Sequence, residues 1–469
     1  MLFPSPSFLF VFLPVCLAAY FACPGMRARN ALLLGASWLF YAWGEPVYVL
    51  LLIVMSGFNY AAARAIDARD EAAGRGRALA LAVAVNLAVL GLFKYSGFVV
   101  RSLDLALQPA GVAIPVPSLA LPLGISFFTF HALSYLIDVG RRRFPANRNL
   151  SEVALYIALF PQLIAGPIVR YKTITRRLRL RRHSLGRVSA GLRIFVIGLA
   201  QKLVVADTVA PLANAVFDHA RHPGLAEAWL GALAYALQIY FDFAGYSNMA
   251  IGLGIAFGFS LPRNFRRPYA AASITEFWRR WHISLSSWFR DYLYIPLGGN
   301  RGARWQTWRN LVIVFLLCGL WHGAAWTFVL WGAWHGVFLS LERAGLGRLL
   351  ARLPRPAAWA YALVVVVAGW VLFRSADVGR TLDIWAGMAG AHGLGPLSPA
   401  TAMALTREQA WLLPLAGVLA VARLPRLRWR PAGLPATAWI DNLAVAGLAG
   451  LCLLQVAAGA YSPFLYFRF

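Results

Sequence analysis

The stretch FLLCGLWHGAAWTFVLWGAWHG, residues 315–336, contains no Asp, Glu, Lys or Arg. About twenty consecutive apolar residues are enough for one transmembrane helix. The polar interruptions that matter are His322 and His335. A titratable ring at membrane depth is costly to bury, so it usually faces a cavity or pathway and serves a function. Because the unperturbed pKa of imidazole lies near physiological pH, His322 is a candidate for proton transfer.

The composition indicates that the whole chain, and not only this stretch, is built for a membrane. Of 469 residues, 60% are hydrophobic and 13% are charged, and the charged share is about half that of a soluble domain. We predict an all-α, polytopic integral membrane protein with about ten to twelve transmembrane helices plus re-entrant segments. We expect residues 1–469 to form one membrane domain. The apolar runs are 7–24, 30–44, 47–63, 78–100, 119–138, 188–206, 228–260, 310–342, 357–373, 409–423 and 437–458.

The positive charge sets the expected topology. The net charge is +26, which in a soluble protein would suggest nucleic acid. Here the basic residues cluster between apolar runs and no nucleic-acid motif accompanies them, so the positive-inside rule assigns them to cytoplasmic loops. We therefore expect a lipid bilayer around the protein and no nucleic-acid partner.

One apolar run does not fit the expected alternation of cytoplasmic and extracytoplasmic loops. Residues 151–169 have basic clusters on both flanks, so a simple crossing would place one cluster outside. The run contains PQLIAGP, whose two prolines and glycine would disrupt a helix. We predict a re-entrant segment, because non-helical backbone at membrane depth needs protein or a cavity around it.

The sequence gives little support for a metal site, a disulfide framework or another kind of catalytic site. The four cysteines fit neither a zinc site nor a disulfide framework, and HExxH, GxSxG and Walker motifs are absent. We expect no metal site and no bound cofactor. Acidic residues at membrane depth are few, with Asp138 and Asp242 the notable ones. That shortage argues against an ion-coupled transporter.

Residues 263–309 combine nine arginines with two acids, Glu276 and Asp291. Ser273 or Thr275 is a candidate helix cap, with Glu276 in the first turn. Aromatic residues then recur at helical spacing, which predicts one aromatic and basic helix with His282 in its middle. This helix is either an interfacial anchor or the wall of a tunnel for an anionic, phosphate-bearing substrate. The candidate substrate-binding residues are Trp278, Arg279, Trp281 and Arg290.

The remaining histidines compete unequally with His322. His335 lies in a parallel context, WGAWHGVF, and His131 follows the apolar run SFFTF. A histidine such as His282 on an aromatic helix is, taken alone, more often packed or hydrogen-bonded than catalytic. Four others lie in polar loops and are expected to be bystanders: His183, His219, His222 and His392.

Several blocks resemble the membrane-bound O-acyltransferase superfamily, in particular its bacterial branch containing alginate O-acetyltransferase. The resemblance covers essentially the whole chain. The similar blocks are LPLGISFFTFHALSYLIDV (121–139), FPQLIAGPIVR (160–170), YFDFAGYSNMAIGLGIAFGF (240–259), NFRRPYAAASITEFWRRWHISLSSWFRDYLYIPLGG (264–299), GLWHGAAWTFVLWGAWHG (319–336) and SPFLYFRF (462–469).

The resemblance implies roles for two histidines. The deep histidine of the family's WHG motif is catalytic, and here it corresponds to His322. The second family histidine corresponds to His282. Eukaryotic relatives tend to have Asn there, which favours hydrogen bonding over obligatory proton transfer. His335 does not occupy the catalytic position of the family. The implied fold is a ring of tilted helices, with a cytoplasmic funnel and an external opening that meet near the two histidines.

The implied activity is acetyl transfer from a cytoplasmic thioester, acetyl-CoA above all, to an extracytoplasmic polysaccharide such as alginate. The transfer would use a periplasmic esterase-like partner, and the enzyme would lie in the bacterial inner membrane. Two alternatives stay open at this point. One is a D-alanyl transferase of the teichoic-acid type, and the other is a non-enzymatic transporter of polysaccharide or lipid-linked sugar.

Overall fold

The structure, a computed structural model, describes residues 1–117, 119–422, 438–459 and 462–465. Within these ranges the regular structure is helical and no strand occurs, as the sequence predicted. The described chain forms two compact units. Unit 1 comprises Met1–Leu192 and Ala250–Pro262, and unit 2 comprises Arg193–Met249 and Arg263–Phe469. A single membrane domain over 1–469 stays a prediction.

Each predicted apolar run contains helix, and further helices such as Tyr171–Arg179 and Val378–Met388 lie outside the runs. The helices before residue 200 are Ser7–Phe12 (a π-helix), Leu13–Ala22, Gly25–Ala42, Tyr48–Asp67, Ala72–Leu107, Gln108–Ala110 (3-10), Ile125–Gly140, Leu150–Ala158, Phe160–Leu163, Tyr171–Arg179 and Leu185–Ala200. Those from 201 to 300 are Gln201–Ala206 (π), Asp207–Asn214, Ala215–His219 (π), Leu225–Ala256, Pro268–Ala270 (3-10), Ile274–Trp278, Ile283–Phe289 and Arg290–Tyr294 (π). The remaining ones are Arg304–His322, Trp326–Leu341, Glu342–Leu346 (π), Gly347–Leu350, Arg355–Arg374, Val378–Met388, Pro399–Ala404, Arg407–Val421 and Ala438–Ala457.

Five described helices are long and apolar enough to cross a membrane: Tyr48–Asp67, Ala72–Ala110, Leu185–His219, Arg355–Arg374 and Ile440–Ala457. Two shorter apolar helices, Ser7–Ala22 and Ile125–Gly140, accompany them. The chain is therefore polytopic, and a total of about ten to twelve spans stays a prediction. The last predicted run, 437–458, begins outside the described residues.

In unit 1 the predicted interruption of the 151–169 run is observed. The helix Leu150–Ala158 ends before the prolines, and a four-residue helix, Phe160–Leu163, follows it. Neither is long enough to cross a bilayer alone. Gly166 is required, because a Cβ there would lie 2.6 Å from the carbonyl oxygen of Pro161. Residues 152–169 are buried throughout, so this irregular backbone is enclosed by protein.

In unit 2 the 310–342 run is two helices rather than one, Arg304–His322 and Trp326–Leu341. Glycines let the two helices touch. A Cβ at Gly319 would lie 2.2 Å from the carbonyl oxygen of Phe328, and one at Gly323 would meet the ring of Phe328. The glycine that follows His322 is therefore a packing requirement of the turn.

A buried charge network ties the chain's last described residues to unit 2. The ammonium group of Lys202 lies 2.7 Å from carboxylate oxygens of both Asp207 and Asp242. Ser462 donates a hydrogen bond to Asp207, and the Leu465 amide donates to Asp242. Asp242, an acid that the sequence placed at membrane depth, is thus neutralised by a lysine.

This network predicts a stability effect. Lys202→Met leaves two buried carboxylates facing each other, and removal of one partner of a buried ion pair typically costs about 3–5 kcal/mol. We expect a clear fall in the melting temperature of the detergent-solubilised protein, with Lys172→Met, at an exposed lysine, as the matched control. Equal melting temperatures for the two variants would contradict a stabilising role for Lys202.

Candidate active site

His322 is the last residue of the helix Arg304–His322, and its side chain is buried with 3% exposure. Three aromatic rings surround it edge-to-face. Their centroids lie 4.9 Å (Trp321), 5.0 Å (Trp331) and 5.2 Å (Phe373) from that of His322. Edge-to-face packing of this kind fixes ring orientation. The imidazole is therefore held in place by packing.

His335, the other candidate for the catalytic role, also packs among these aromatic rings. Its centroid is 5.1 Å from that of Trp331 and 5.0 Å from that of Trp278, so both imidazoles contact the Trp331 ring. His335 is fully buried, and neither of its ring nitrogens has a hydrogen-bond partner within the described part of the chain. Burial does not separate the two candidates, because both are enclosed by aromatic rings.

The prediction that His282 lies in the middle of one helix is wrong. Two short helices, Ile274–Trp278 and Ile283–Phe289, flank a break, and His282 is the residue that precedes the second. Its backbone is left-handed, with φ 42° and ψ 54°. Non-glycine residues adopt this conformation rarely, and strain of this kind concentrates at functional sites.

Asn264 explains the break. Its carbonyl oxygen accepts from the Ile283 amide at 2.9 Å, and its side-chain oxygen accepts from the amide and the hydroxyl of Ser284. The two amides are among the donors that a helix leaves unsatisfied at its start, here that of the helix Ile283–Phe289. A residue twenty positions away thus serves as the cap, and aromatic periodicity alone gave no sign of it.

The His282 ring is fully buried and stands edge-to-face against Phe243, with centroids 4.6 Å apart. The Trp321 ring lies 6.0 Å from it and 4.9 Å from His322. Trp321 therefore packs against both His282 and His322, the two histidines that the sequence singled out. Neither ring nitrogen of His282 has a hydrogen-bond partner among the residues described.

A cavity of about 440 Å³ lies in unit 2, within the size range of small-molecule sites. Its charged lining is entirely basic, from Arg279, Arg290 and Arg343. The other lining residues are Thr275, Trp278, Ile283, Leu285, Ser286, Ser287, Phe289, Tyr294, Leu311, Val314, Phe315, Cys318 and Leu339. Three predicted substrate-binding residues, Trp278, Arg279 and Arg290, line this cavity.

The fourth, Trp281, lies elsewhere. It is fully buried, does not line the cavity, and packs against Phe265, Phe277 and Trp370 at centroid distances of 4.8–5.6 Å. Trp281 therefore packs in the protein interior behind the cavity wall.

Glu342 holds this wall in place. Its carboxylate accepts from the Ile274 amide at 2.6 Å and from the Thr275 amide and hydroxyl at 2.9 and 2.6 Å. Ser273 caps the same helix, as expected, by accepting from the Glu276 amide at 3.0 Å. An acid at a helix N-terminus also stabilises the helix dipole. Sequence reasoning missed Glu342 because it lies at the end of a distant apolar run.

The cavity approaches His322. Cys318 belongs to its wall and precedes His322 by four residues, or about one turn, in the helix Arg304–His322. Trp278 belongs to the wall as well, and its ring lies 5.6 Å from that of Trp331, which contacts His322. A basic, partly aromatic cavity thus has a wall residue about one helical turn from His322, which is not itself among the lining residues.

The other candidate histidines have separate surroundings. His131 is buried in unit 1, where its Nε2 accepts from the Val169 amide at 3.3 Å, which is a structural contact. His183 lies in the same unit beside the hydroxyl of Tyr20. Burial and the neighbouring guanidinium groups of Arg29 and Arg181 lower the pKa of His183. His219 is exposed and ends the helix Ala215–His219.

Comparison with protein families decides the class. Residues 124–373, more than half of the chain, match the family described as MBOAT, membrane-bound O-acyltransferase family. This chain is a member of the membrane-bound O-acyltransferase family. It is therefore an enzyme that transfers an acyl group, built as a multi-pass membrane protein. The transporter alternative is set aside by this membership.

Relatives within the membrane-bound O-acyltransferases extend over the chain. A probable alginate O-acetylase, AlgI, of Azotobacter vinelandii is 42% identical over the full length of both chains. The peptidoglycan O-acetyltransferase of Helicobacter pylori is 37% identical over 84% of this chain and 81% of its own. A teichoic acid D-alanyltransferase of Bacillus subtilis is 27% identical over 43% of this chain and 54% of its own.

Proposed function

We propose that this enzyme transfers an acetyl group from a cytoplasmic thioester to a hydroxyl group of an extracytoplasmic polysaccharide, with His322 as the general base. The observation that carries the proposal is the basic cavity whose wall reaches Cys318, one helical turn before the buried His322. A basic cavity with a wall residue one helical turn from an imidazole suits a phosphate-bearing acyl donor.

Acetyl transfer requires a general base for the acceptor hydroxyl and a hydrogen-bond donor for the oxyanion. His322 accepts the proton of the acceptor hydroxyl as its oxygen attacks the thioester carbonyl carbon. The tetrahedral intermediate then expels the thiolate by cleavage of the C–S bond, and the imidazolium returns its proton to the sulfur. The oxyanion needs a hydrogen-bond donor. We assign this role to a ring nitrogen of His282, because both nitrogens lack partners in the described structure.

Acetyl-CoA is the proposed donor, as a substrate and not as a bound cofactor. Its phosphate groups match the guanidinium groups of Arg279, Arg290 and Arg343 around the cavity. The alginate and peptidoglycan acetylating relatives cover far more of this chain than the D-alanyl one. We therefore propose acetylation of an alginate-type polysaccharide from the bacterial inner membrane, either directly or through a periplasmic esterase-like partner.

The donor is tested by offering the purified enzyme two thioesters, acetyl-CoA and a D-alanyl carrier protein. We expect acetyl-CoA to be consumed and the D-alanyl thioester to remain. Consumption of the D-alanyl thioester alone would contradict acetyl transfer while leaving acyl transfer intact.

The arginines of the cavity predict a binding effect. Arg279→Gln and Arg290→Gln should each raise the apparent KM for acetyl-CoA about two- to fivefold, because an exposed charge pair contributes up to ~1 kcal/mol. The kcat should stay unchanged, since the contact is made equally in ground state and transition state. High salt should produce the same rise in the wild-type enzyme.

Arg301→Gln is the matched control for these two variants. Arg301 belongs to the same basic segment and is exposed, but it does not line the cavity. If all three variants keep the wild-type KM and differ only in expression or orientation, the arginines set membrane topology and do not bind the donor.

A further inference from the structure

Three residues distant in sequence meet in unit 2: His222, Asp383 and His392. Nδ1 of His222 lies 2.7 Å from Oδ1 of Asp383, and Nε2 of His392 lies 3.8 Å from the same oxygen. One ligand atom from each residue lies within 4.8 Å of the others. Two imidazoles and a carboxylate form a ligand set suited to zinc and related ions. We propose that these residues bind a divalent transition-metal ion.

The orientation of His392 supports this assignment. Its Nδ1 lies 3.1 Å from the carbonyl oxygen of Pro223, and a carbonyl only accepts, so Nδ1 carries the hydrogen. In the neutral ring, Nε2 then presents a lone pair toward Asp383. Two acceptors that face each other are favourable only with a cation or proton between them. A backbone carbonyl that orients the second ring nitrogen is also characteristic of metal-binding histidines.

Arg380 holds the carboxylate in position. Its guanidinium contacts Oδ2 of Asp383, which leaves Oδ1 directed toward the two imidazoles. The same guanidinium donates to the carbonyl oxygens of Val216, Phe217 and Ala220. It therefore joins the helix that carries Asp383 to the segment that leads to His222. Hydrogen-bonded ligand carboxylates are typical of built metal sites.

The loop that carries His392 is also tied down. The Leu225 amide donates to the Gly393 carbonyl at 2.9 Å, and the Trp229 indole donates to the Met388 carbonyl at 3.0 Å. A Cβ at Gly387 would lie 2.2 Å from the carbonyl oxygen of Pro223, so the two segments touch directly. The ligands are thus preorganised by contacts in which they take no part.

Metal binding needs small adjustments at both imidazoles. Metal–nitrogen and metal–oxygen bonds of about 2.0–2.2 Å place tetrahedral ligand atoms about 3.3 Å apart. His222 would move outward from its 2.7 Å contact with Asp383, and its side chain, 79% exposed, has room to do so. His392 would move toward Asp383 from its present 3.8 Å separation. The same exposure leaves a fourth position open to water, as in zinc sites with three protein ligands.

The sequence predicted no metal site, and the reason is plain. His222 and Asp383 are 161 residues apart, so the ligands form no spacing motif. Positive-inside logic places the loop before the helix Leu225–Ala256 on the extracytoplasmic side, because the basic run 263–267 follows that helix. The expected location of the ion is thus opposite the donor side.

The test is a titration of the full-length, tag-free, chelator-treated protein in detergent with Co²⁺ and Zn²⁺. Visible absorption reports Co²⁺ coordination, and calorimetry reports the Zn²⁺ affinity. We expect one saturable site, with at least a tenfold weaker affinity in His222→Ala, since loss of even an outer contact typically costs about 10–100-fold. The matched control is His219→Ala, at an exposed histidine three residues away.

Two outcomes would overturn the proposal. One is the absence of saturable Co²⁺ and Zn²⁺ binding to the wild-type protein. The other is an equal affinity in the wild type and in the double variant His222→Ala/His392→Ala, with gel filtration showing that the variant is folded. In either case the three side chains form only a hydrogen-bonded surface cluster. Acetyl transfer is a separate readout, so this result does not depend on the proposed function.

Discussion

His322→Ala is expected to lower the rate of acetyl transfer from acetyl-CoA by about 10²–10⁴-fold, the usual cost of losing a general base. The ring is buried at the end of its helix and enclosed by three aromatic rings, so solvent is poorly placed to substitute for it. The loss should appear in kcat and kcat/KM alike, because proton transfer is made only in the transition state. The measurement is steady-state release of free CoA.

His335→Ala is the matched control. Its imidazole is also buried and packs against Trp331, as that of His322 does, so both variants remove a ring from the same aromatic cluster. We expect comparable melting temperatures for the two variants and near wild-type activity only for His335→Ala. Retention of more than about a tenth of the wild-type rate in His322→Ala would rule out His322 as the base.

His282→Ala should cost about 10²–10³-fold in kcat, the range seen when one oxyanion donor is removed, whereas His282→Asn should retain more activity. Two physical reasons favour Asn. Its side-chain amide keeps a hydrogen-bond donor, and Asn tolerates the left-handed backbone that this position adopts with φ 42°. The measurement compares kcat and melting temperature for the two variants.

The backbone contribution is separated by Arg267→Ala. Arg267 also has a left-handed backbone, with φ 49°, so this variant reports what alanine costs at such a position in the same segment. Equal and complete loss of activity in His282→Ala and His282→Asn, with both folded, would mean that the role requires a protonatable ring.

Local features of the fold were predictable from sequence. Apolar run lengths predicted the helices, and the conflict of charge around 151–169 predicted an interrupted segment, where helices end at Ala158 and Leu163. Ser273 and Thr275 were the two predicted cap candidates, and Ser273 is the one whose side chain accepts from the Glu276 amide. Each of these signals comes from residues that are neighbours in sequence. Local interactions are enough to determine the structure at these positions.

Features that depend on distant partners were not predictable. Periodicity indicated one helix through His282, but a break occurs there, where the Ile283 and Ser284 amides donate hydrogen bonds to Asn264. Trp281 matched the helical spacing of cavity residues, yet packing places it among other rings. The carboxylate of Glu342 that caps the cavity wall comes from 67 residues away. No local pattern encodes such contacts, because they form only once the helices pack.

We propose that His322 is required to move an acetyl group from a cytoplasmic thioester to an acceptor across the membrane. The decisive experiment uses sealed, inside-out inner-membrane vesicles that receive labelled acetyl-CoA on their outer, formerly cytoplasmic face. We expect free CoA outside and labelled acetyl ester on polysaccharide or a partner protein in the lumen, with both absent from His322→Ala vesicles. Luminal acetyl ester formed at the wild-type rate in His322→Ala vesicles would contradict it.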